Sequence, residues 1–385
     1  MSKVLIIIPC YLPGFRSGGP QQTVQNICDV FSKSNDIYLV TKNVDFGDTE
    51  PYDVETGKWL KLFGINIMYV KPQDYGRKLF RRLYKQFDII LACGLFTSST
   101  IQMMLVNKNP SKRLYVAPMG VFSKNALAIK NTKKLLFLRV FSLLGIFKRI
   151  IWSFTTEEEY SEAKTAIGDR NIKRFIIAED LPRAIDFEER RKKISKSEDV
   201  LKVAYLSRIV PKKNLLYAIQ ILTYQFEGKI AFDIYGIKED KEYWTQCEAA
   251  MKNLPKNVKY NYCGFIKPDE SVRIFSDHDI FLFPTRGENF GHVIYEALAG
   301  GCLPVISDTT PWKDFYEKQC GNVIELNNTE GFRNAIQSYL NMPSEEFKRM
   351  KINAISFAEN KYKASIETSG YKELFDAPTS EGNSK

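Results

Sequence analysis

Twice along its 385 residues the chain passes through six short apolar runs in which hydrophobic residues follow one another without alternating. In the first half they fall at 4–9, 37–41, 65–70, 88–92, 114–117 and 150–155. In the second half they fall at 203–206, 230–235, 258–263, 279–284, 303–306 and 322–324. A strand with one wet face alternates polar and apolar residues. A strand without alternation is buried on both faces, which predicts a parallel sheet covered by helices on each side. One core does not serve a chain of this length, so two α/β domains are expected. The predicted architecture is two doubly wound, Rossmann-like domains facing across a cleft. Residues 1–185 form the first domain and 201–360 the second. The charged stretch 186–200 reads as a linker. A helix at 361–376 would return to the first domain, and the polar tail 377–385 reads as disordered. No short-period repeat is visible.

Hydrophobic content of 44% and charged content of 26% place the chain among globular proteins. No apolar run is long enough to span a bilayer. The start, Met1 to Pro9, has too short an apolar core for a signal peptide and reads as a buried first strand. Seven cysteines stand singly, with no CxxC pair, which predicts reduced thiols and a cytoplasmic protein. The net charge of +10 admits a nucleic acid, an anionic membrane or a phosphorylated small molecule as partner. Its distribution favours the membrane. Residues 77–85 (RKLFRRLYK) and 124–149, with Lys124, Lys130, Lys133, Lys134, Arg139, Lys148 and Arg149 among Phe137, Phe141, Leu143, Leu144 and Phe147, read as basic amphipathic helices. A solvated basic face over a core stripe has the same pattern. No nucleic-acid motif is present, so no nucleic-acid partner is expected.

Three segments suit a phosphate-linked ligand. Gly14 to Pro20 (GFRSGGP) follows the first strand and precedes a helix with Val24, Ile27, Cys28 and Phe31 on one face. Gly18 and Gly19 let backbone approach an anion at a helix N-terminus. A flexible surface loop has the same composition, and the spacing is not GxGxxG, so a dinucleotide is not favoured. Ser207 to Asn214 (SRIVPKKN) places Arg208 at the carboxyl edge of a strand and Lys213 at a helix start. Two fixed cations there can hold a diphosphate and stabilise the charge it gains on leaving; a solvated strand-to-helix turn has the same composition. Gly287 to Glu296 (GENFGHVIYE) sets Glu288 on the loop after a strand and Glu296 about two turns into the next helix. Glu288 can accept from sugar hydroxyls, with the N–H groups of Asn289, Phe290 and Gly291 beside it. Glu296 can grip a ribose diol, or simply occupy the surface of the helix.

Together these segments resemble the family 4 glycosyltransferases of the GT-B fold, of the kind that assemble bacterial capsule and O-antigen. Glu288 and Glu296, in DIFLFPTRGENFGHVIYEALAGGCLPVIS, match that family's Glu-x7-Glu signature. LSRIVPKKN matches its Arg…Lys motif, and RSGGPQQTVQNI its N-terminal glycine loop. CGLFTSST and APMGVFSKNALAIKNTKK look like its acceptor side, and the likeness runs over about residues 3–370. The resemblance implies retaining transfer from a nucleotide sugar without a metal or other cofactor. UDP is the default base, and the acceptor is a polyprenyl-diphosphate-linked or polysaccharide glycan at the inner membrane face. It implies Arg208 and Lys213 on the donor diphosphate, Glu288 on the donor sugar and Glu296 on the ribose. Gly18 and Gly19 would close over the phosphates. Arg208, Lys213 and Glu288 are then the catalytic set.

Two positions depart from the family. Cys93, ahead of Gly94, stands where many relatives carry a histidine, and Pro118-Met119-Gly120 stands where some carry Pro-Arg-Gly. Cys93, Gly94, Met119 and Gly120 are the candidate acceptor-side residues. Front-face retaining transfer needs no enzymic base, so a cysteine there would change selectivity or rate. Asp277-His278-Asp279 is a literal D-x-D. It reads as a helix end entering a buried strand, with His278 at the surface and no metal bound. A GT-B epimerase or phosphorylase, and a non-catalytic scaffold of glycan assembly, are the competing readings.

Overall fold

A computed structural model describes residues 3–123, 127, 131–192, 194 and 199–376. The chain divides into two compact units, Met1–Arg183 with Ser365–Lys385, and Ala184–Ala364.

The first unit holds eight strands: β1 (Lys3–Ile7), β2 (Asp36–Lys42), β3 (Leu60–Leu62), β4 (Ile65–Val70), β5 (Ile89–Cys93), β6 (Arg113–Ala117), β7 (Ile151–Phe154) and β8 (Phe175–Ile177). Their order is β3-β4-β2-β1-β5-β6-β7-β8. All neighbours are parallel except β3 and β4. Successive side chains of a strand point to opposite faces, and here both faces are apolar. Leu5, Ile7, Ile90 and Ala92 pack with Phe80, Leu83, Met103, Leu138 and Phe141. Val4, Ile6, Ile89 and Leu91 pack with Val24, Ile27, Phe31, Tyr371 and Phe375. This double burial is the physical reason that the runs do not alternate.

The second unit holds β9 (Val200–Leu206), β10 (Lys229–Tyr235), β11 (Val258–Gly264), β12 (Ile280–Phe283), β13 (Leu303–Ser307) and β14 (Asn322–Ile324). The order is β11-β10-β9-β12-β13-β14, with all pairs parallel. That is the doubly wound order in which the chain starts in the middle and builds outward both ways.

Several sequence expectations need correction. The stretch 186–200 is not a plain linker. Phe187–Arg191 is a short helix capped by Asp186, which accepts from the Glu189 N–H at 3.0 Å. Phe187 is buried in the core of the second unit, which draws the segment in. Residues 193 and 195–198 of that stretch lie outside the described residues. The C-terminal element is two helices, Ser344–Glu367 and Tyr371–Asp376, not one over 361–376. The expected tail 377–385 lies outside the described residues, as do Lys124 and Lys130. In the second basic segment the helix is Asn131–Leu143. Its apolar residues are sorted by face: Phe141 and the following Phe147 are buried, whereas Leu143 and Leu144 are exposed. Among the described residues no helix is long and apolar enough to cross a membrane.

Candidate functional site

Where the strand order of an open sheet reverses, the loops leaving two neighbouring strands diverge and open a crevice at their carboxyl ends. In the second unit that point lies between β9 and β12, which pair through Val203 with Ile280 and Ala204 with Phe281. Arg208 follows β9 and Glu288 follows β12. Lys213 and Glu288 meet there, with Nζ to Oε1 at 2.6 Å and both side chains largely buried. The two loops are fastened to each other. The Arg286 N–H donates to the Lys212 carbonyl at 3.0 Å. The Asn214 amide donates to the Pro284 carbonyl at 2.8 Å, and Tyr205 donates to the Lys213 carbonyl at 3.0 Å. Thr285 donates to Glu288 Oε1 at 3.1 Å.

Lys213 ends a single 3-10 turn, Pro211–Lys213, and does not open the helix as its spacing suggested. Asn214 intervenes in the left-handed conformation (φ 62°) before the helix Leu215–Leu222. This kink aims Lys213 at Glu288 while its backbone carbonyl stays on Tyr205. Desolvation holds Lys212 below the usual lysine value, Lys213 and Arg208 act in the same sense, and Glu288 opposes them. The loop is thus a concentration of positive charge with one carboxylate inside it, a setting that favours an anionic ligand.

Arg208 lies close enough to act on Lys212, and its guanidinium pairs with Glu239 at 3.0 Å, with both side chains about half exposed. Glu296 is the fifth residue of the helix His292–Ala299, one turn in where the spacing suggested two, and it is 7% exposed. Gly291 caps that helix in the left-handed region (φ 80°), where a Cβ would lie 2.9 Å from Ile294. Asn289 is exposed and Phe290 buried. The Phe290 carbonyl accepts from the Trp312 indole N–H at 2.6 Å. The carbonyl of Thr285 accepts from Ser307 at 2.5 Å and from Thr309 at 2.7 Å. These supporting residues escaped the sequence reading. Only Thr285, three positions before Glu288, stood near enough to be found.

In the first unit the reversal lies between β1 and β5. The glycine loop follows β1 and Gly94 follows β5. Gly18 is the N-cap of the helix Gly19–Phe31, with φ 64° and ψ −133°, and open space surrounds both Gly18 and Gly19. Asp45, which no local signal marks, holds the loop. Its Oδ2 accepts from the N–H groups of Phe15 (2.9 Å) and Arg16 (3.2 Å). Cys93 is 1% exposed and packs in the core, where burial pushes its thiol well above the ordinary value. It therefore does not present a thiol at an exposed acceptor surface, because β5 turns that side chain into the apolar layer. Gly94 takes a left-handed φ of 83° and donates its N–H to the Ala117 carbonyl at 2.9 Å. Met119 and Gly120 both have positive φ, 60° and 75°. The Gly120 N–H donates to Glu159 at 2.5 Å. Glu159 is buried, which raises its carboxyl above the ordinary range, and it also accepts from Thr155 N–H at 2.8 Å. The spacing Thr156-x-x-Glu159 is a helix N-cap signal that could have marked it.

The D-x-D motif is structural. His278 is buried, not at the surface. Its Nδ1 lies 2.7 Å from the Ile274 carbonyl and its Nε2 3.1 Å from Asp233. Asp279 pairs with the buried Lys351 at 3.3 Å and accepts from the Lys202 N–H at 3.0 Å. Among the described residues no three His, Cys, Asp or Glu side chains gather as a metal site requires.

Known proteins resemble this chain in sequence and in fold. The sequence model of the family described as glycosyl transferases group 1 matches residues 186–357. That span lies inside the second unit, Ala184–Ala364. A glycogen synthase of Thermosipho melanesiensis is 26% identical over 161 residues, which are 41% of this chain and 31% of that one. An uncharacterised 41.2 kDa protein of the cps region of Klebsiella pneumoniae is 23% identical over 237 residues, 58% of this chain and 61% of that one. The chain thus spans less than two thirds of either relative. Among solved structures, Anabaena HepE in complex with UDP and glucose is similar with TM-score 0.69 and 14% identity, over 95% of this chain and 98% of that one. A glycosyltransferase of Rickettsia africae ESF-5 gives 0.69 and 13%, over 98% and 99%. WaaG, a glycosyltransferase involved in lipopolysaccharide biosynthesis, gives 0.62 and 14%, over 97% and 100%. The fold, with its two parallel-sheet Rossmann-like units, is that of the GT-B glycosyltransferases.

Proposed function

We propose that the chain is a retaining glycosyltransferase that moves a sugar from a nucleotide-sugar donor, UDP-linked by preference, to a lipid-linked or growing surface-polysaccharide glycan. The observation that carries this reading is the Lys213–Glu288 pair, set among cations at the switch point of the second sheet. It lies inside the segment that matches a glycosyltransferase family. HepE was solved with UDP and glucose, which supports the choice of base. WaaG and the Klebsiella cps-region protein support a surface-glycan setting. No cofactor is invoked. An anionic membrane face on the cytoplasmic side is the proposed place of work.

The chemistry follows from charge. As the bond between the anomeric carbon and the phosphate oxygen breaks, negative charge grows on the diphosphate. Lys213 and Arg208 stabilise it. The acceptor hydroxyl oxygen bonds to the same face of the anomeric carbon, and its proton passes to the departing phosphate oxygen. Lys213 engaged by diphosphate releases Glu288 from full pairing and leaves its carboxylate for sugar hydroxyls. Glu296 holds the ribose diol.

The test is thermal stability with UDP-, GDP-, ADP- and CMP-sugars, with and without EDTA. A ligand at 100 times its Kd adds about 2.7 kcal/mol to stability. A shift with one nucleotide class, unchanged by EDTA and abolished in Lys213→Ala and Glu296→Ala, is expected. A chain that no nucleotide sugar stabilises would overturn the reading.

A further inference from the structure

The helix Asn131–Leu143 buries Leu138 and Phe141 in the first unit and turns a second apolar row outward. Leu136 is 63% exposed, Val140 40% and Leu143 81%, and Leu144 just beyond the helix is 59% exposed. The first three stand at i, i+4 and i+7, so they form one stripe along the outer face. Exposed Lys133 and Arg139 flank that stripe, one on each side. A contiguous apolar stripe left on the surface marks an interaction site.

A second helix in the same layer fixes the kind of partner. Arg77–Gln86 packs Phe80 and Leu83 into the same core as Leu138 and Phe141. It turns Arg77, Arg81 and Lys85 outward at helical spacing and exposes no large apolar residue. Neither helix contains an acidic residue. One helix therefore offers an apolar stripe between cations, and a second helix packed into the same core offers cations alone.

We infer that this face of the first unit docks on an anionic lipid bilayer, with Leu136, Val140 and Leu143 entering the headgroup–acyl boundary and the flanking Lys and Arg holding anionic headgroups. Interfacial helices have this arrangement of apolar stripe and cationic margins. The apolar stripe and its two cationic margins complement a flat anionic surface, and Arg77, Arg81 and Lys85 on the same side of the sheet add to that charge. The inference rests on the membrane setting proposed above and adds the residues that make the contact. It also reassigns the contact. Phe141 and Phe147 belong to the core, whereas Leu143 and Leu144 face out.

The experiment is co-sedimentation of the full chain with vesicles of phosphatidylcholine alone or mixed with phosphatidylglycerol. Binding to the mixed vesicles that weakens with added salt is expected, with little binding to the neutral ones. Arg139→Glu should weaken it by more than the roughly fivefold expected for loss of one cation at the surface. Leu143→Asp should weaken it by about tenfold or more. Both positions are exposed, so the thermal transition and any nucleotide-sugar shift should stay unchanged. Equal binding to both vesicle types, or binding indifferent to Leu143→Asp, would overturn the inference. So would self-association in solution that Leu143→Asp abolishes, because the stripe would then join two copies. Loss of vesicle binding in a chain that still shows the nucleotide-sugar shift would sink this surface and leave the transfer reading intact.

Discussion

Two adjacent glycines separate ligand binding from backbone need. Gly18 sits at φ 64° and ψ −133°, a region closed to side-chain-bearing residues at a cost of about 1–3 kcal/mol. Gly19 has no positive φ, and no atom lies within 4 Å of its would-be Cβ. Gly18→Ala should therefore lower stability, and Gly19→Ala should leave it unchanged within about 0.5 kcal/mol. If phosphates lie on this loop, Gly19→Ala will still weaken nucleotide-sugar binding, measured by titration calorimetry. Equal donor affinity in wild type and Gly19→Ala would remove the loop from the donor site. At this scale the sequence marked the residues with unusual chemistry and missed their supports. Lys213 and Glu288 were legible because a lysine and a glutamate at sheet edges announce their charge. Asp45, thirty residues from the loop it clamps, was not. His278 and Cys93 were misjudged for one reason: burial depends on which face a strand or helix end presents, and no local pattern shows that.

Elements were more legible than contacts. Every uninterrupted apolar run noted in the sequence became a parallel strand, with ends moved by up to three residues. The strands that were missed, β3 and β8, have three residues each. β3 is a largely exposed antiparallel edge, too short to announce itself. The end of the chain shows how one glycine seats an element. After the helix Ser344–Glu367, the chain turns at Gly370 and runs into Tyr371–Asp376, whose Phe375 ring stacks on Phe31 at 4.4 Å. A Cβ on Gly370 would lie 1.9 Å from the Ile177 carbonyl oxygen of β8. Backbone cannot yield as a flexible side chain can, so Gly370→Ala should cost about 1–3 kcal/mol or more by overpacking. Phe375→Ala should cost about 3–5 kcal/mol through lost burial and a residual cavity. Urea denaturation checks both. Wild-type midpoints would show that this helix contributes nothing to the first unit.

At the scale of the whole molecule, desolvated carboxylates set the pH response of the first unit. Desolvation is the largest cause that pushes Asp180 up to about 7, with Glu159 and Glu179 adding to it and a Thr23 hydrogen bond opposing. Burial raises Glu159 as well. Both histidines of the chain, His278 and His292, lie in the second unit, so no imidazole masks this titration. The sign follows from proton binding. Between the ordinary aspartate value and about 7 the folded Asp180 holds a proton that the unfolded chain has released. Its contribution is full below the ordinary value and is lost as pH rises through 7. Acidification from about pH 7 to 5 should therefore stabilise the first unit, with a slope of at most about 1.4 kcal/mol per pH unit from this group. Asp180 is partly exposed as a residue, and water screening will reduce that slope. In the second unit Asp233 runs the other way. Its His278 hydrogen bond holds it below the usual range, so its contribution is present above the ordinary value and fades as pH falls further. Native-state hydrogen exchange reads the two sheets separately. Amides of β1 and β5 should gain protection between pH 7 and 5, after correction for the intrinsic rate, and Asp180→Asn should flatten that gain. Protection of β1 and β5 that falls over the same range would show Asp180 to be ionised in the folded unit.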